Sequence, residues 1–143
     1  MIAVDTNILV YAHREDSEFH KRADEILTDL ANGHQTWAIP WPCIHEFLGI
    51  VTYPKIFKMT TPLDLALEEA ECWMECPYLS LIGEEKDYWP VLKSVLRSGK
   101  IVGPKIHDAK IAAICVQNNV KVFWSADRDF SRMQGLKVEN PLL

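Results

Sequence analysis

Short apolar runs alternate with longer stretches of helical periodicity, which predicts an α/β fold. Its three layers are α/β/α, with helices covering both faces of a central, mostly parallel sheet. Three observations carry that reading. Ile2–Val4, residues 36–39, residues 78–82, residues 120–124 and residues 136–138 read as strands, the last of them at an edge. Amphipathic segments fall between the strands, as right-handed βαβ units require. The 143 residues are 48% hydrophobic and contain no internal repeat, low-complexity segment or long linker, which fits one domain over residues 1–143 with a proper core.

The elements follow in order. Ile2, Ala3 and Val4 suit a strand buried on both faces; Asp5, Thr6 and Asn7 interrupt the apolar run, and residues 8–12 resume it as a helix. Phe19, Ala23, Ile26, Leu27 and Leu30 recur at helical spacing, with Asn32-Gly33 as the stop. Pro40 ends the second strand, Pro42 sits where a helix begins, and Ile44, Phe47, Leu48 and Val51 form its stripe, with Glu46 about one turn in. Thr61-Pro62 opens a helix with Leu63, Ala66, Leu67, Ala70, Trp73 and Met74 on one face. Tyr88, Val91, Leu92, Val95 and Leu96 make another, closed by Ser98-Gly99. Pro104 is expected in the first turn of the next, whose stripe is Ile106, Ala109, Ala113 and Val116. The helices at 62–74 and 88–96 carry more large apolar residues than so small a domain buries. A homodimer is therefore expected, with a partner segment lying in an apolar groove near the acids.

Composition bounds the function. No stretch approaches the roughly 18 apolar residues of a membrane helix. The N-terminus has neither a basic region nor a small-residue cleavage site, so a cytoplasmic location is expected over secretion. Cys43, Cys72, Cys76 and Cys115 form no C-x-x-C pair and read as buried, reduced thiols. The net charge of −5 argues against a nucleic-acid partner, but its distribution qualifies that. Between 93 and 110 lie Lys93, Arg97, Lys100, Lys105 and Lys110, with Asp108 as the only acid, and a local basic face binds phosphates despite an acidic total.

Four acids share a predicted geometry. Asp5 and Asp127 leave the carboxyl ends of strands, while Glu46 and Asp108 lie near helix N-termini. In βαβ units those positions meet at one edge of the sheet, where open α/β folds bind ligands. Asp5 or Thr6 as a plain helix cap is the competing reading. At about 4 Å and an effective dielectric near 20, each carboxylate pair costs on the order of 4 kcal/mol, so the cluster calls for a cation. Oxygen ligands select Mg²⁺ or Mn²⁺ over zinc, an arrangement suited to a phosphodiester.

These residues carry a resemblance. Asp5-Thr6-Asn7, Glu46 within His45-Glu46-Phe47, His107-Asp108-Ala109, and Ser125-Ala126-Asp127-Arg128-Asp129-Phe130 resemble, in order and spacing, the motifs of the PIN-domain ribonucleases. The similarity is to the small VapC-type toxins of VapBC toxin–antitoxin pairs, and it spans nearly the whole chain. Ser125 stands where that family's closing motif has threonine. The resemblance implies a PIN-like α/β/α domain and Mg²⁺- or Mn²⁺-dependent endonucleolytic RNA cleavage. It also implies a cognate antitoxin and dimers or larger assemblies. Within it, Asp5 and Asp108 are expected as direct metal ligands. Asp127 is expected on a second metal or on the first through water, and Glu46 as the group that positions or activates the attacking water. Thr6, Asn7 and Ser125 would orient carboxylates or contact phosphate; Asp129 is a further supporting candidate, with a plain cap of the turn before Phe130 as its competing reading. Lys93, Arg97, Lys100 and Lys105 become the candidate RNA contacts.

His45 and His107 each precede a site acid, point about 100° away from it, and are expected to pack or to support. His13, His20 and His34 are expected at the surface. The five tryptophans are expected in the core, with Trp41 also placed to stack on a base. Two other functions fit parts of the pattern. A haloacid-dehalogenase-like phosphatase uses a strand-end Asp as nucleophile, but it wants a second Asp where this chain has Asn7, and Lys121 is badly placed for its lysine. A catalytically silent binding module of the same fold is the other, and the presence of all four acids argues against it.

Overall fold

The computed structural model describes all of residues 1–143. In chain order the elements are β1 (Ile2–Val4), α1 (Thr6–His13), α2 (His20–Asn32), β2 (Trp37–Pro40), α3 (Trp41–Val51), α4 (Leu63–Met74), β3 (Leu79–Ile82), α5 (Tyr88–Gly99), α6 (Ile106–Gln117), β4 (Val122–Trp124) and β5 (Lys137–Glu139). Two 3-10 turns, Gly103–Lys105 and Arg128–Arg132, precede α6 and follow β4.

All five strands are parallel, in the order β3-β2-β1-β4-β5. β1 is the central strand, which is why Ala3 and Val4 are fully buried and why the opening run carries no polar residue. Its register against β4 pairs Ile2 with Val122 and Val4 with Trp124. The residues after these strands, Asp5 and Ser125, therefore leave the sheet level with each other. β5 closes one edge as a three-residue strand whose exposed ends, Lys137 and Glu139, pair at 2.8 Å; a short, charged edge resists further strand addition.

α1 packs on α2 and α3, α3 on α4, and α5 on α6, and the sheet between the two groups completes the α/β/α arrangement. One continuous core of 33 buried residues runs through it. Trp37, Phe47, Phe123 and Phe130 are its largest fully buried side chains. Phe47 meets Trp73 edge-on at 4.8 Å between centroids, and Phe123 meets Phe130 at 4.9 Å, geometries that favour aromatic pairs.

On α4, in line with its expected surplus of apolar residues, only Ala66, Ala70 and Trp73 are buried; Leu63, Leu65, Leu67 and Met74 face outward, because α3 covers a strip too narrow for the whole stripe. Several expectations need correction. α6 buries Ala109, Ile111, Ala112, Ala113, Ile114 and Cys115 nearly all round, while Ile106 at its start is exposed. Pro104 sits in the 3-10 turn before α6 and outside its first turn. Gly99 is the last residue of α5, where a Cβ would stand 3.0 Å from the Arg132 carbonyl, and Lys100 takes the left-handed position that ends the helix (φ 51°). Trp41 and Trp89 are exposed, and of the cysteines only Cys43 and Cys115 are buried. His13 and His20 are half-buried and partnered: a His13 ring nitrogen lies 2.9 Å from Thr61 Oγ1, and His20 Nδ1 lies 3.0 Å from the Tyr11 carbonyl. His45 and His107 are exposed, so neither packs in the core.

Candidate active site

The register of β1 and β4 sets the centre of the site. Ser125 Oγ donates to Asp5 Oδ2 at 2.6 Å, and Asn7 Nδ2 reaches the same oxygen at 3.3 Å. Asp5 Oδ1 accepts from the Thr6 amide at 2.7 Å, so Asp5 is the N-cap of α1 as well as a cleft residue. The buried Cys43 thiol, one turn before Glu46 on α3, lies 3.7 Å from that oxygen. Asn7 Oδ1 accepts from the Ala126 amide, and Ser125 Oγ from the Asp127 amide. Thr6, Asn7 and Ser125 thus fix Asp5 and the start of the segment that carries Asp127.

Glu46 approaches from α3, where Thr6 Oγ1 donates to its Oε2 at 2.7 Å. Its sixth place in that helix puts it beyond the first turn, so the helix dipole favours Asp108, the third residue of α6, and gives Glu46 little. Asp127 caps the 3-10 turn at Arg128–Arg132 by accepting from the Asp129 amide at 2.8 Å. The cap is therefore Asp127; the Asp129 side chain is free of that duty and turns to Asp108. Asp108, Asp127 and Asp129 bring carboxylate oxygens within 4.8 Å of one another. Lys105 Nζ, 3.4 Å from Asp129 Oδ1, is the one cation paired with them.

Asp5, Glu46, Asp108 and Asp127 all line one cleft of about 360 Å³. Its apolar wall, whose residues the sequence did not single out, comprises Val10, Tyr11, Ile50, Ile56, Phe57 and Phe130. Tyr11 was legible as the residue one turn after Asn7, but Ile56 and Phe57 lie in an irregular stretch without periodicity. Of the basic candidates, Lys105 is beside the acids, and Lys93, Arg97 and Lys100 are exposed on and after α5.

The electrostatics are those of a site short of positive charge. Burial is the main reason that the Asp5 carboxyl rises from the ordinary 3.8 to about 6; hydrogen bonds from Ser125 and Thr6 oppose the rise, and the Glu46 charge adds to it. Asp108 is also raised, first by burial and then by Asp127, Glu46 and Asp129. Three convergent carboxylates with a single ammonium partner form a donor set of hard oxygens, which fits a divalent cation such as Mg²⁺ or Mn²⁺.

Comparison with known proteins agrees with this geometry. The PIN domain family model matches residues 2–136. The chain is similar to Ribonuclease VapC48 of Mycobacterium tuberculosis, 28% identical over 137 residues that cover 96% of this chain and 94% of that protein. It is also similar to VapC ribonuclease Mb2897 of Mycobacterium bovis, 30% identical over 142 residues, covering 99% of this chain and 96% of the relative. Among solved structures, VapBC2 from Rickettsia felis bound to a promoter DNA fragment shares the fold with a TM-score of 0.70 and 21% identity, covering 98% of each chain.

The raised Asp5 carboxyl makes a prediction for the metal-free protein. Its folded value of about 6 exceeds the unfolded value of 3.8, so between those values the folded state holds the extra proton and stability falls as pH rises. The full effect is about 3 kcal/mol. Urea midpoints in EDTA at pH 4 and pH 7 should show this fall in wild type and a much smaller one in Asp5→Asn. Equal pH dependence in the two proteins would refute it.

Proposed function

The chain belongs to the PIN domain family, and from that premise we propose that it is a cytoplasmic, divalent-metal-dependent endoribonuclease, the toxin of a type II toxin–antitoxin pair. The observation that carries the proposal is the meeting of Asp108 and Asp127 in the cleft that Asp5 and Glu46 line, with Asp129 alongside them and only Lys105 to offset their charge. The similarity to VapC ribonucleases supports RNA as the substrate.

Asp5, Asp108 and Asp127 are the proposed ligands of Mg²⁺ or Mn²⁺, with Asp129 joining through its place beside Asp108. Such an ion supplies water of lowered pKa and positive charge against the phosphoryl oxygens. The chain's own residues do the rest. Thr6 holds Glu46 by Oε2, leaving Oε1 to accept a proton from the attacking water. Ser125 and Asn7 hold Asp5 in one orientation. The phosphatase reading has no support from the family match or from the relatives, which are named ribonucleases.

Asp108→Asn should lower metal-dependent RNA cleavage about 10²-fold or more while the protein stays folded. In EDTA the variant should melt above wild type, because one repulsive charge is gone. Mg²⁺ at one hundred times its dissociation constant should reverse that order: about 2.7 kcal/mol of linkage raises wild type by on the order of 10 °C. Equal metal shifts in the two proteins would remove Asp108 from the ligand set. No cleavage by wild type with Mg²⁺ or Mn²⁺ would leave a silent module.

We propose that RNA phosphates are held by Lys93, Arg97, Lys100 and Lys105. Reversing Lys93 and Arg97 to Glu should then flatten the salt dependence of RNA binding by about 0.7 in log–log slope per lost contact. An unchanged slope would place the RNA elsewhere.

The apolar wall beside the acids suits an antitoxin segment, and a basic antitoxin side chain would block activity by occupying the acids. The outward face of α4, where Leu63 and Leu65 are 59% and 52% exposed, is the proposed homodimer surface. Sedimentation should show a dimer at micromolar concentration and a monomer for Leu63→Glu/Leu67→Glu; a monomeric wild type would refute it.

A further inference from the structure

A second recess, of about 490 Å³, opens beside the acid cleft where the first turn of α3 faces the residues after β3. Trp41, His45, Gly83, Glu84, Glu85 and Lys110 line it. We propose that this recess is a base-reading subsite for an unpaired guanine of the RNA substrate, neighbouring the bond to be cut. The inference rests on the ribonuclease reading and adds to it the base that is recognised.

The platform is aromatic. Trp41 is 41% exposed in spite of its size, and its ring lies near that of His45, 6.3 Å between centroids and 33° from parallel. Gly83 lies against the edge of the indole, where a Cβ would make an ordinary contact of 3.4 Å with Trp41 Cδ1. A flat apolar face left open beside a nucleic-acid-cutting site is what a splayed-out base stacks on.

The reading edge is acidic. Glu84 and Glu85 are exposed and take part in none of the molecule's ion pairs. Their loop is nonetheless clamped by the end of α6. Gln117 Oε1 accepts from the Glu85 amide at 2.9 Å, Gln117 Nε2 donates to the Lys86 carbonyl at 2.8 Å, and Asn118 Nδ2 donates to the Gly83 carbonyl at 3.1 Å. The carboxylates on this held loop offer only acceptors. Guanine alone among the four bases presents two adjacent N–H donor groups on its Watson–Crick edge, matching the two oxygens of one carboxylate. Adenine offers one donor beside an acceptor, and uracil flanks its single donor with two acceptors. Lys110, half-buried and likewise outside every ion pair, supplies a cation for the phosphate, and the N-terminal end of α3 adds to the attraction.

Position links the recess to the chemistry. His45 and Glu46 are successive residues of α3, and Lys110 follows Asp108 by two residues on α6, so the same two helices face the cleft on one side and the recess on the other. A strand with its phosphate at the acids can place an adjacent base on Trp41.

The test has a binding arm and a cleavage arm. Guanosine 5′-monophosphate should quench tryptophan fluorescence saturably, at about tenfold lower concentration than adenosine 5′-monophosphate. Trp41→Ala should abolish the quench, and Glu84→Gln/Glu85→Gln should bring the two nucleotides level. On a random single-stranded RNA pool with Mg²⁺, wild type should enrich guanine at one fixed offset from the cut, and both variants should lose that enrichment while still cutting. Equal quenching by the two nucleotides, or a Trp41→Ala protein with wild-type quenching, overturns the subsite. Cleavage without guanine enrichment also overturns it and leaves the ribonuclease standing. Selective guanosine binding without any cleavage supports the subsite and removes the ribonuclease.

Discussion

The parallel pairing of Val4 with Trp124 is the constraint on which the site depends. It sets Asp5 beside Ser125 at the carboxyl edge of the sheet, and the 2.6 Å bond between them anchors the segment that carries Asp127. The register is enforced by packing on both faces, because a slip of one residue would turn Val4 and Phe123 against the opposite helical layer. The same hydrophobic burial that stabilises the centre of the sheet therefore aims the carboxylates. Function is placed here by packing, and the loops add little more than the approach.

That placement has an electrostatic cost. Asp5 is desolvated and raised to about 6, and Asp108 is raised by burial and by three neighbouring acids. Removing charge from water without a counter-charge is unfavourable, and the chain meets this in part with hydrogen bonds to Asp5 and with Lys105 on Asp129. Neither equals a divalent ion. The imbalance is what a cation-binding site looks like before its ion is considered, and sites that trade stability for function show it as a rule. It also explains why the apolar wall of Val10, Tyr11 and Phe57 sits so near: water kept from the carboxylates strengthens whatever charge pairs with them.

Much of this was legible in the sequence, for identifiable reasons. Strand ends and helix starts follow from hydrophobic period, so the convergence of Asp5, Glu46, Asp108 and Asp127 could be read from four local patterns and one rule of handedness. What stayed hidden depended on contacts between distant segments. His13 finds Thr61, 48 residues away, which no local pattern announces. Asp129 looked like a capping acid because turns want one, and only the path of the chain shows that Asp127 takes that role. An amphipathic stripe marks an apolar face but not what covers it: on α4 half of the stripe faces outward. On α6 the opposite failure occurs, since a helix buried nearly all round has no single stripe to read.

The competing readings of these acids as caps and as ligands turn out not to exclude each other. Asp5 caps α1 and lines the cleft; Asp127 caps a 3-10 turn and stands in the acid trio. A carboxylate has two oxygens and about four lone-pair directions, so an oxygen that accepts from an amide or a hydroxyl keeps a lone pair for a ligand. Capping then confers more than local stability. It fixes the side-chain torsions of the very group that must hold still, so that less conformational entropy is lost when a ligand binds. Glu46 shows the contrast: with no cap to make, it is held by the hydroxyl of Thr6, a residue whose own amide is already tied to Asp5. Fixing Asp5 therefore fixes Thr6, and Thr6 fixes Glu46. The opening Asp-Thr-Asn thus orients carboxylates from three separate segments of the chain, because Asn7 completes the set by holding the turn at Ala126 that leads to Asp127.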